Sequence, residues 1–244
     1  YQAAFTQTTA NANTAVGYQA GYSTTTGGLN TAIGVEAAYS NTTGGRITAV
    51  GYKAAYGNTT GTNNVAIGAA ISGLSGTLGT NTTGDYNVAV GDSALQANTT
   101  ADGNTSVGYA SLLDNTTGAS NTAVGMDALA NNTTADNNTA VGRQALEDNT
   151  MGSNTTGTYN IAIGSEDSTG YPPLYRNTTG ASNVALGSGS LAKNTTASSN
   201  TAIGYQALYA NTTGTRLVAV GRAALYTNTT GSYSVAVGQA ALTN

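Results

Sequence analysis

The stretch N-T-A-I-G-Y-Q-A-L-Y-A-N-T-T-G, residues 200–214, contains one complete copy of the phrase that the chain repeats along its 244 residues. Gly187 and Gly221 stand at equal distances before and after the central Gly204, each preceded by Ala and an aliphatic residue. Self-similarity at a fixed period is the sequence signature of repeat architectures. The sequence therefore predicts stacked, equivalent units.

The anchor of the repeat is Ala, or Ser106 in one copy, followed by an aliphatic residue and glycine, and it occurs thirteen times. The anchors follow a 17-residue period, except where short insertions, at 69–80, 143–153 and 165–176, lengthen the spacing. The first five residues, Y-Q-A-A-F, match the end of a further copy, so we expect about 14 coils and a single array (1–244) that is a fragment of a longer fibre. The anchor glycines are Gly17, Gly34, Gly51, Gly68, Gly91, Gly108, Gly125, Gly142, Gly164, Gly187, Gly204, Gly221 and Gly238.

Each part of the repeat favours a particular local structure. N-V-A-I-G (64–68) alternates, contains β-branched residues and stops at glycine, which is typical of a short strand. N-T-T-G suits a tight turn, because Asn is favoured at its first position and Gly at its fourth. Two short strands and two corners in so short a unit predict one coil of an all-β parallel β-solenoid, or β-roll. A helical solenoid is disfavoured by the abundance of Gly, Thr and Asn.

Composition excludes several function classes. The chain has no Cys, His or Trp, so it offers no thiolate or imidazole metal site and no histidine base; we predict no metal and no cofactor. Only 7% of residues are charged, and the net charge is −4, so no basic footprint for nucleic acid is expected. No apolar run approaches the ~20 residues of a membrane helix, and we expect no membrane insertion.

Alternation along the strand predicts opposite faces for the Ala column and the aliphatic column. If the aliphatic column faces the coil interior, the small Ala column lies outside, where a partner's backbone could approach. If Ala lies inside, the aliphatic column is exposed and too long to leave in water. A third possibility is a flattened coil with Ala packed across a narrow interior. The Asn that usually stands four residues before the glycine is expected to form a side-chain amide ladder between coils.

The segments N-V-A-I-G and N-T-A-V-G resemble the head repeat of trimeric autotransporter adhesins. The longer phrase at residues 200–214 is similar to repeat regions of phage tail-fibre proteins. The resemblance implies a homotrimer of left-handed β-rolls, with a structural and adhesive role at the cell or virion surface. A cell-surface carbohydrate or protein would then be the receptor. Copies joined end to end are a further expectation, since unpaired strand edges at the end coils need covering.

The insertions are expected to protrude on one side of the stack, which is often the binding side of a solenoid. The third contains Tyr171, Tyr175 and Arg176, a contact set suited to a sugar or a protein. The alternative is a rigid loop that only fills space. A second group of tyrosines lies five residues after a glycine, and we expect cross-coil stacking there in preference to a carbohydrate strip. These are Tyr22, Tyr39, Tyr56, Tyr209 and Tyr226.

The N-T-T triplet is also an acceptor pattern for N-glycosylation, which predicts a glycosylated surface filament as an alternative function. Threonine columns suggest another alternative, an ice-binding or carbohydrate-binding solenoid. The two adjacent threonines would point to opposite sides of a strand, and this argues against a flat ice-binding surface. The candidate acceptors are Asn41, Asn58, Asn81, Asn98, Asn115, Asn132, Asn154, Asn177, Asn194, Asn211 and Asn228.

Catalysis has little support in the sequence. Two carboxylate pairs, Glu147-Asp148 and Glu166-Asp167, lie in insertions and could suggest a glycoside hydrolase. Adjacent residues in a strand point apart, so sequence neighbours rarely form such a pair. We therefore expect solvated loop charges and no enzyme activity.

Overall fold

The structure is a computed structural model, and it describes residues 2–4, 6–70, 75–147, 156–166 and 170–243. Within these residues the chain is an all-β parallel β-solenoid with a repeat of roughly 17 residues and no helix, as predicted. Two compact units, Tyr1–Ser120 and Asn121–Asn244, divide the chain. Each unit is described by itself below.

Each repeat contributes one strand of three residues, which ends immediately before the anchor glycine. The expectation of two strands per coil is wrong for the described residues, because the rest of each coil consists of turns and bends. The first unit contains six of the strands and the second contains seven. They are β1 (Thr14–Val16), β2 (Thr31–Ile33), β3 (Thr48–Val50), β4 (Val65–Ile67), β5 (Val88–Val90), β6 (Thr105–Val107), β7 (Thr122–Val124), β8 (Thr139–Val141), β9 (Ile161–Ile163), β10 (Val184–Leu186), β11 (Thr201–Ile203), β12 (Val218–Val220) and β13 (Val235–Val237).

Within each unit, successive strands pair in parallel and in an unshifted register, so that Ala32 lies beside Ala49 and Ala49 beside Ala66. Each repeat position therefore becomes a column of like residues. The chain makes about 12 turns, slightly fewer than the expected fourteen coils. The N-terminal residues explain part of the difference, because they supply a corner without a strand: the Ala4 amide donates to the Ala20 carbonyl at 2.8 Å.

The Ala column faces the coil interior, where Ala49 and Ala66 are fully buried. The fourth residue after the glycine is also buried, as Leu95 is. Ser106, which replaces Ala in β6, shows how narrow this interior is: its hydroxyl lies 2.6 Å from that of Ser111 on the opposite side of the same coil. The alternative in which Ala faces outward is wrong. Ala is small here because the two walls of one coil meet.

Two Asn columns occupy the interior corners, and they act differently from the prediction. The Asn of N-T-T forms the side-chain amide ladder: Asn81 donates to the Asn58 Oδ1 at 2.7 Å and accepts from Asn98 at 2.8 Å. The Asn four residues before the glycine binds mainly backbone atoms, although the Asn183 Nδ2 also donates to the Asn160 Oδ1 at 3.2 Å. Asn30 accepts the Ile47 amide at 2.8 Å and donates to the Gly44 carbonyl at 2.9 Å. Both columns form hydrogen bonds between successive coils.

The corners are made by left-handed residues, which recur at three positions of the repeat besides the glycine. Leu29, Lys53 and Leu95 represent these positions, with φ of 62°, 56° and 52°. A left-handed non-glycine residue costs ~1–2 kcal/mol. The anchor glycine is required for a second reason: a Cβ on Gly51 would collide with the carbonyl oxygen of Gly68 in the next coil.

Leu29→Gly and Leu95→Gly should have opposite effects on stability, although both residues are left-handed. Leu29 is 55% exposed, and Gly103 already fills the same repeat position with φ 68°. Leu29→Gly should relieve backbone strain and stabilise by up to about 1 kcal/mol. Leu95 is fully buried, so Leu95→Gly should destabilise by about 3 kcal/mol. Chemical-denaturation midpoints measure both, and a loss of stability in Leu29→Gly would contradict the strain argument.

Asn81→Ala should be destabilising, because it removes three buried hydrogen bonds and leaves one buried donor without a partner. The Asn58 Oδ1, the Gly84 carbonyl and an Asn98 amide hydrogen each lose their bond to Asn81, but the Asn64 Nδ2 still donates to the two oxygens, at 3.4 Å and 2.7 Å. At about 1–3 kcal/mol for the unsatisfied Asn98 hydrogen and about 0.5–1.5 kcal/mol for each of the other two bonds, we expect a loss of about 2 kcal/mol or more in denaturation experiments. Thr83→Ala is the matched control, since Thr83 is exposed in the same turn. Equal losses in the two variants would rule out the ladder as the main constraint.

Candidate binding surfaces

The outer face of each unit's sheet is aliphatic. The residue before the anchor glycine points outward, with Val16 56% exposed and Ile33 39% exposed in the first unit and Ile203 38% exposed in the second. The other outward strand position holds Thr, Val or Ile, and no charged residue occurs at either position in any of the thirteen strands. We call these two columns the outer aliphatic face.

A third column, the residue after the glycine, borders this face and carries the exposed Tyr18, Val35 and Tyr52 in the first unit, together with the exposed Asp92. With ~100 Å² of apolar surface for a fully exposed aliphatic side chain and more for tyrosine, the three columns of this unit expose on the order of 700 Å². This exceeds the ~300–600 Å² of the largest patch on a typical monomer. Parallel sheets are also usually covered on both faces, so the outer aliphatic face is suited to docking.

The tyrosine column five residues after the glycine forms stacked ladders. In the first unit, Tyr39 stacks on Tyr22 and Tyr56 with ring centroids 5.2 Å and 5.1 Å away. In the second, Tyr209 stacks on Tyr226 at 5.1 Å. The prediction of cross-coil stacking is confirmed for these five rings. Where two rings stack, those faces are covered, and the ladder offers mainly ring edges and hydroxyl groups to a ligand.

The candidate residues of the third insertion do not form the protruding loop that the sequence suggested. Tyr171, Tyr175 and Arg176 take ordinary positions of a coil, because the Gly189 amide donates to the Tyr171 carbonyl at 2.9 Å and the Arg176 amide to the Ala192 carbonyl at 3.1 Å. Tyr171 and Tyr175 are half-buried and Arg176 is exposed. The extra residues of this insertion precede Tyr171, and of these 167–169 lie outside the described residues.

Tyr171 connects two parts of the second unit's tyrosine column. Ala192 interrupts that column, and the Tyr171 ring packs edge-on against Tyr175 and Tyr209, with centroid distances of 5.6 Å to each. Lys193 lies beside them, with its Nζ 4.8 Å from the Tyr209 ring centroid. Sequence reasoning missed Lys193 and this use of Tyr209, although Lys193 follows Arg176 by one period of the repeat.

The other two insertions lie partly outside the described residues. In 69–80, Ala70 still follows the repeat, since its amide donates to the Tyr52 carbonyl at 3.0 Å, and Thr77 is back in register. In 143–153 the regular coil continues through Leu146 and Glu147. Residues 71–74 and 148–155 are not described. The two interruptions therefore begin at different positions of the coil.

A second lysine lies on the first unit's ladder, in a different electrostatic setting. The Lys53 Nζ is 5.3 Å from the Tyr56 ring centroid and 3.7 Å from the Glu36 Oε2. Its pKa is raised, first by the Tyr52 side chain and to a smaller extent by Glu36, against a partial desolvation. Lys53 is therefore charged and paired at neutral pH.

The N-T-T turn presents threonine and encloses asparagine. The Asn41 Nδ2 donates to the Gly44 carbonyl at 3.0 Å, and its side chain is fully buried. The first threonine is half-buried and donates to the next coil, as Thr42 does to the Thr59 carbonyl at 3.0 Å. The second threonine is exposed, as Thr43 is. A glycan on the Asn nitrogen would have to displace an interior hydrogen bond. Glycosylation of these turns stays a prediction.

The candidate acceptor asparagines share this arrangement with one difference at the last described turn. Asn228 is half-buried, whereas the other described acceptors are buried, and Asn154 lies outside the described residues. The buried acceptors are Asn41, Asn58, Asn81, Asn98, Asn115, Asn132, Asn177, Asn194 and Asn211.

Charged groups do not converge on a reactive centre in the described part of the chain. No group of three or more acidic side chains lies close enough there to hold a metal ion. Of the two carboxylate pairs, Glu147 is buried and Glu166 is paired with Arg143, while Asp148 and Asp167 are not described. Among the same described residues, no helix has the length and apolar character to cross a membrane.

Comparison with known proteins does not identify a family for this chain. No family model, no curated protein and no solved structure matches the chain. The candidate surfaces are therefore the outer aliphatic face and the tyrosine ladders with their flanking cations.

Proposed function

We propose that the chain is a structural and adhesive segment of an extracellular fibre, in which three copies pack along their outer aliphatic faces. The observation that carries the proposal is this face itself, which exposes an aliphatic residue in coil after coil and contains no charged residue in its strands. A surface of this kind is expected to be covered in a soluble protein.

A second copy of the chain is the partner that fits this face best. The exposed side chains repeat with the ~4.8 Å spacing of paired strands. A partner must present apolar side chains at the same interval over the same length. Another copy of this solenoid satisfies both conditions. The apolar surface of the first unit, on the order of 700 Å², is close to the ~800 Å² per partner of a stable interface.

The fibre role follows from the same architecture. A solenoid grows by adding coils that contact only their neighbours, so a self-associating solenoid is suited to a stiff spacer that presents attachment surfaces. The resemblance to trimeric adhesin and tail-fibre repeats supports three copies and a location at the cell or virion surface. Catalysis has no part in this proposal.

A monomeric surface-binding solenoid is the second candidate, favoured by the exposed second threonine of each N-T-T turn. Thr43, Thr60 and Thr83 form a regular hydroxyl column in the first unit, with the ~4.8 Å strand interval. Such a column could bind ice or another ordered surface. Thermal hysteresis in a solution of the chain would favour this candidate over the fibre.

The native mass of the chain and of two double substitutions to lysine tests the fibre proposal. Light scattering should give three times the chain mass of 24.1 kDa. Val50→Lys with Val90→Lys places charges on the outer aliphatic face and should shift the native mass to that of one chain while the β circular dichroism is retained. Thr43→Lys with Thr83→Lys adds the same charge to the N-T-T edge and should leave the trimer intact.

A wild-type mass near 24.1 kDa would overturn the self-association. Dissociation of both double variants to the same degree would show that added charge alone, and not its position, separates the copies.

A further inference from the structure

The charges of the chain are strongly segregated. Residues 168–244 contain Arg176, Lys193, Arg216 and Arg222 and no Asp or Glu, which gives +4. Residues 1–167 contain the other three basic residues and all eleven acidic residues, which gives −8. The overall charge of −4 therefore hides a basic segment in the second unit. Charge asymmetry along a chain suggests that the segregated segment takes part in an interaction.

Two of the four cations lie in consecutive coils, in the column directly beside the tyrosine column. Arg176 and Lys193 occupy the same position in consecutive coils, since their amides donate to the Ala192 and Tyr209 carbonyls, one coil further on, at 3.1 Å and 3.2 Å. Paired strands repeat at ~4.8 Å, so the two side chains start about one coil apart. Neither forms an ion pair with any described residue. We call Tyr171, Tyr175, Arg176, Lys193 and Tyr209 the basic tyrosine corner.

The aromatic rings of this corner are held in place before any ligand arrives. Tyr171 packs edge-on against both Tyr175 and Tyr209 at 5.6 Å, and Tyr209 is stacked on Tyr226. Rigid tyrosines supply contact area with little loss of side-chain entropy. The edge-on packing of Tyr171 also interrupts the ladder, so the rings here are not all covered face to face.

The first unit provides an internal comparison. Its ladder of Tyr22, Tyr39 and Tyr56 carries a lysine too, but Lys53 is paired with Glu36 at 3.7 Å. In the second unit the equivalent ladder has two cations without a carboxylate partner among the described residues. The two corners thus differ in that no described carboxylate pairs with the cations of the second, and an anionic ligand can supply that charge.

We propose that the basic tyrosine corner binds an acidic polysaccharide that carries uronic-acid carboxylates. The Arg176 guanidinium and the Lys193 ammonium would bind carboxylates on the polymer, while the tyrosine rings and hydroxyl groups contact the sugar rings. This inference rests on the proposed attachment function and names the chemical class of its receptor.

Nucleic acid fits this corner less well. Duplex DNA carries one charge per ~1.7 Å, and binding usually neutralises many phosphates at once. Four basic residues spread over four coils, in a chain whose net charge is −4, cannot do so. A polymer that carries one carboxylate on each sugar ring matches a column of cations beside a column of tyrosine rings.

Biolayer interferometry of the full chain on immobilised polygalacturonate tests the proposal, with dextran and single-stranded DNA as comparison surfaces. The wild type should bind polygalacturonate at about 50 mM salt, bind more weakly as surface charges are screened, and ignore dextran. Arg176→Gln with Lys193→Gln should weaken binding at least tenfold. Tyr171→Ala, which leaves the charge unchanged, should weaken it at least threefold.

The matched control is Arg46→Gln with Lys53→Gln, which removes the same charge from the first unit and should change affinity less than twofold. Equal losses in the two double variants would overturn the assignment of the site. Absence of polygalacturonate binding, or tighter binding to DNA, would overturn the ligand class.

Light scattering on each variant separates this inference from the fibre proposal. Trimers that do not bind polygalacturonate would overturn the ligand and leave the fibre. Monomers that bind it with the expected variant pattern would support the ligand and overturn the trimer.

Discussion

The hydrogen bonds of buried asparagine amides are the interaction on which this fold depends most. So short a coil is too small to enclose a conventional apolar core, and its corners turn backbone groups inward. Buried backbone groups without partners are costly. The two Asn columns satisfy them: Asn30, for example, bonds the backbone of the next coil at both ends of its amide. The repeat can be short because a side chain supplies hydrogen bonds that a second sheet would supply in a larger solenoid.

This arrangement accounts for the strain in the corners. Three positions of the repeat besides glycine are left-handed, and at many coils they hold residues such as Leu and Lys that do not favour this conformation. Each corner residue, however, contributes an amide or a carbonyl to the ladder between coils, and Leu95 also fills the interior. Burial and inter-coil bonding offset the strain, so a corner is stable only when another coil lies beside it.

Much of the fold could be predicted from the sequence, because a period is a strong constraint. The regular spacing of the anchors predicted a parallel solenoid, and the glycine after each aliphatic residue predicted the end of each strand. Which face the Ala column would take could not be predicted, since alternation assigns two faces without saying which is inside. The hydrogen bond between Ser106 and Ser111 shows that the Ala column is inside, but this pairing cannot be predicted unless the width of the coil is known. The second strand was predicted wrongly because turns of left-handed residues have no distinctive composition.

The tyrosine surfaces, too, could be predicted from the sequence only in part. Stacking of Tyr22, Tyr39 and Tyr56 followed from their common position in the repeat. The location of Tyr171 could not be predicted, because the sequence does not show at which residue the regular repeat resumes after the insertion. Once the register at Tyr171 is known, Arg176 and Lys193 occupy one position in consecutive coils, and the acid-free segment that contains them acquires a definite geometry.

The two kinds of surface have different chemistry because they lie on different sides of the coil. The outer aliphatic face is made of strand positions, where parallel pairing repeats each side chain in register and a single charge would be repeated in every copy of a cyclic assembly. Charge is accordingly absent from the strands and confined to corners and insertions, where Arg143, Lys53 and Lys193 lie. A solenoid that assembles through its sheet must keep recognition of charged ligands at its corners, and the tyrosine ladders are where this chain has the rigid side chains to do so.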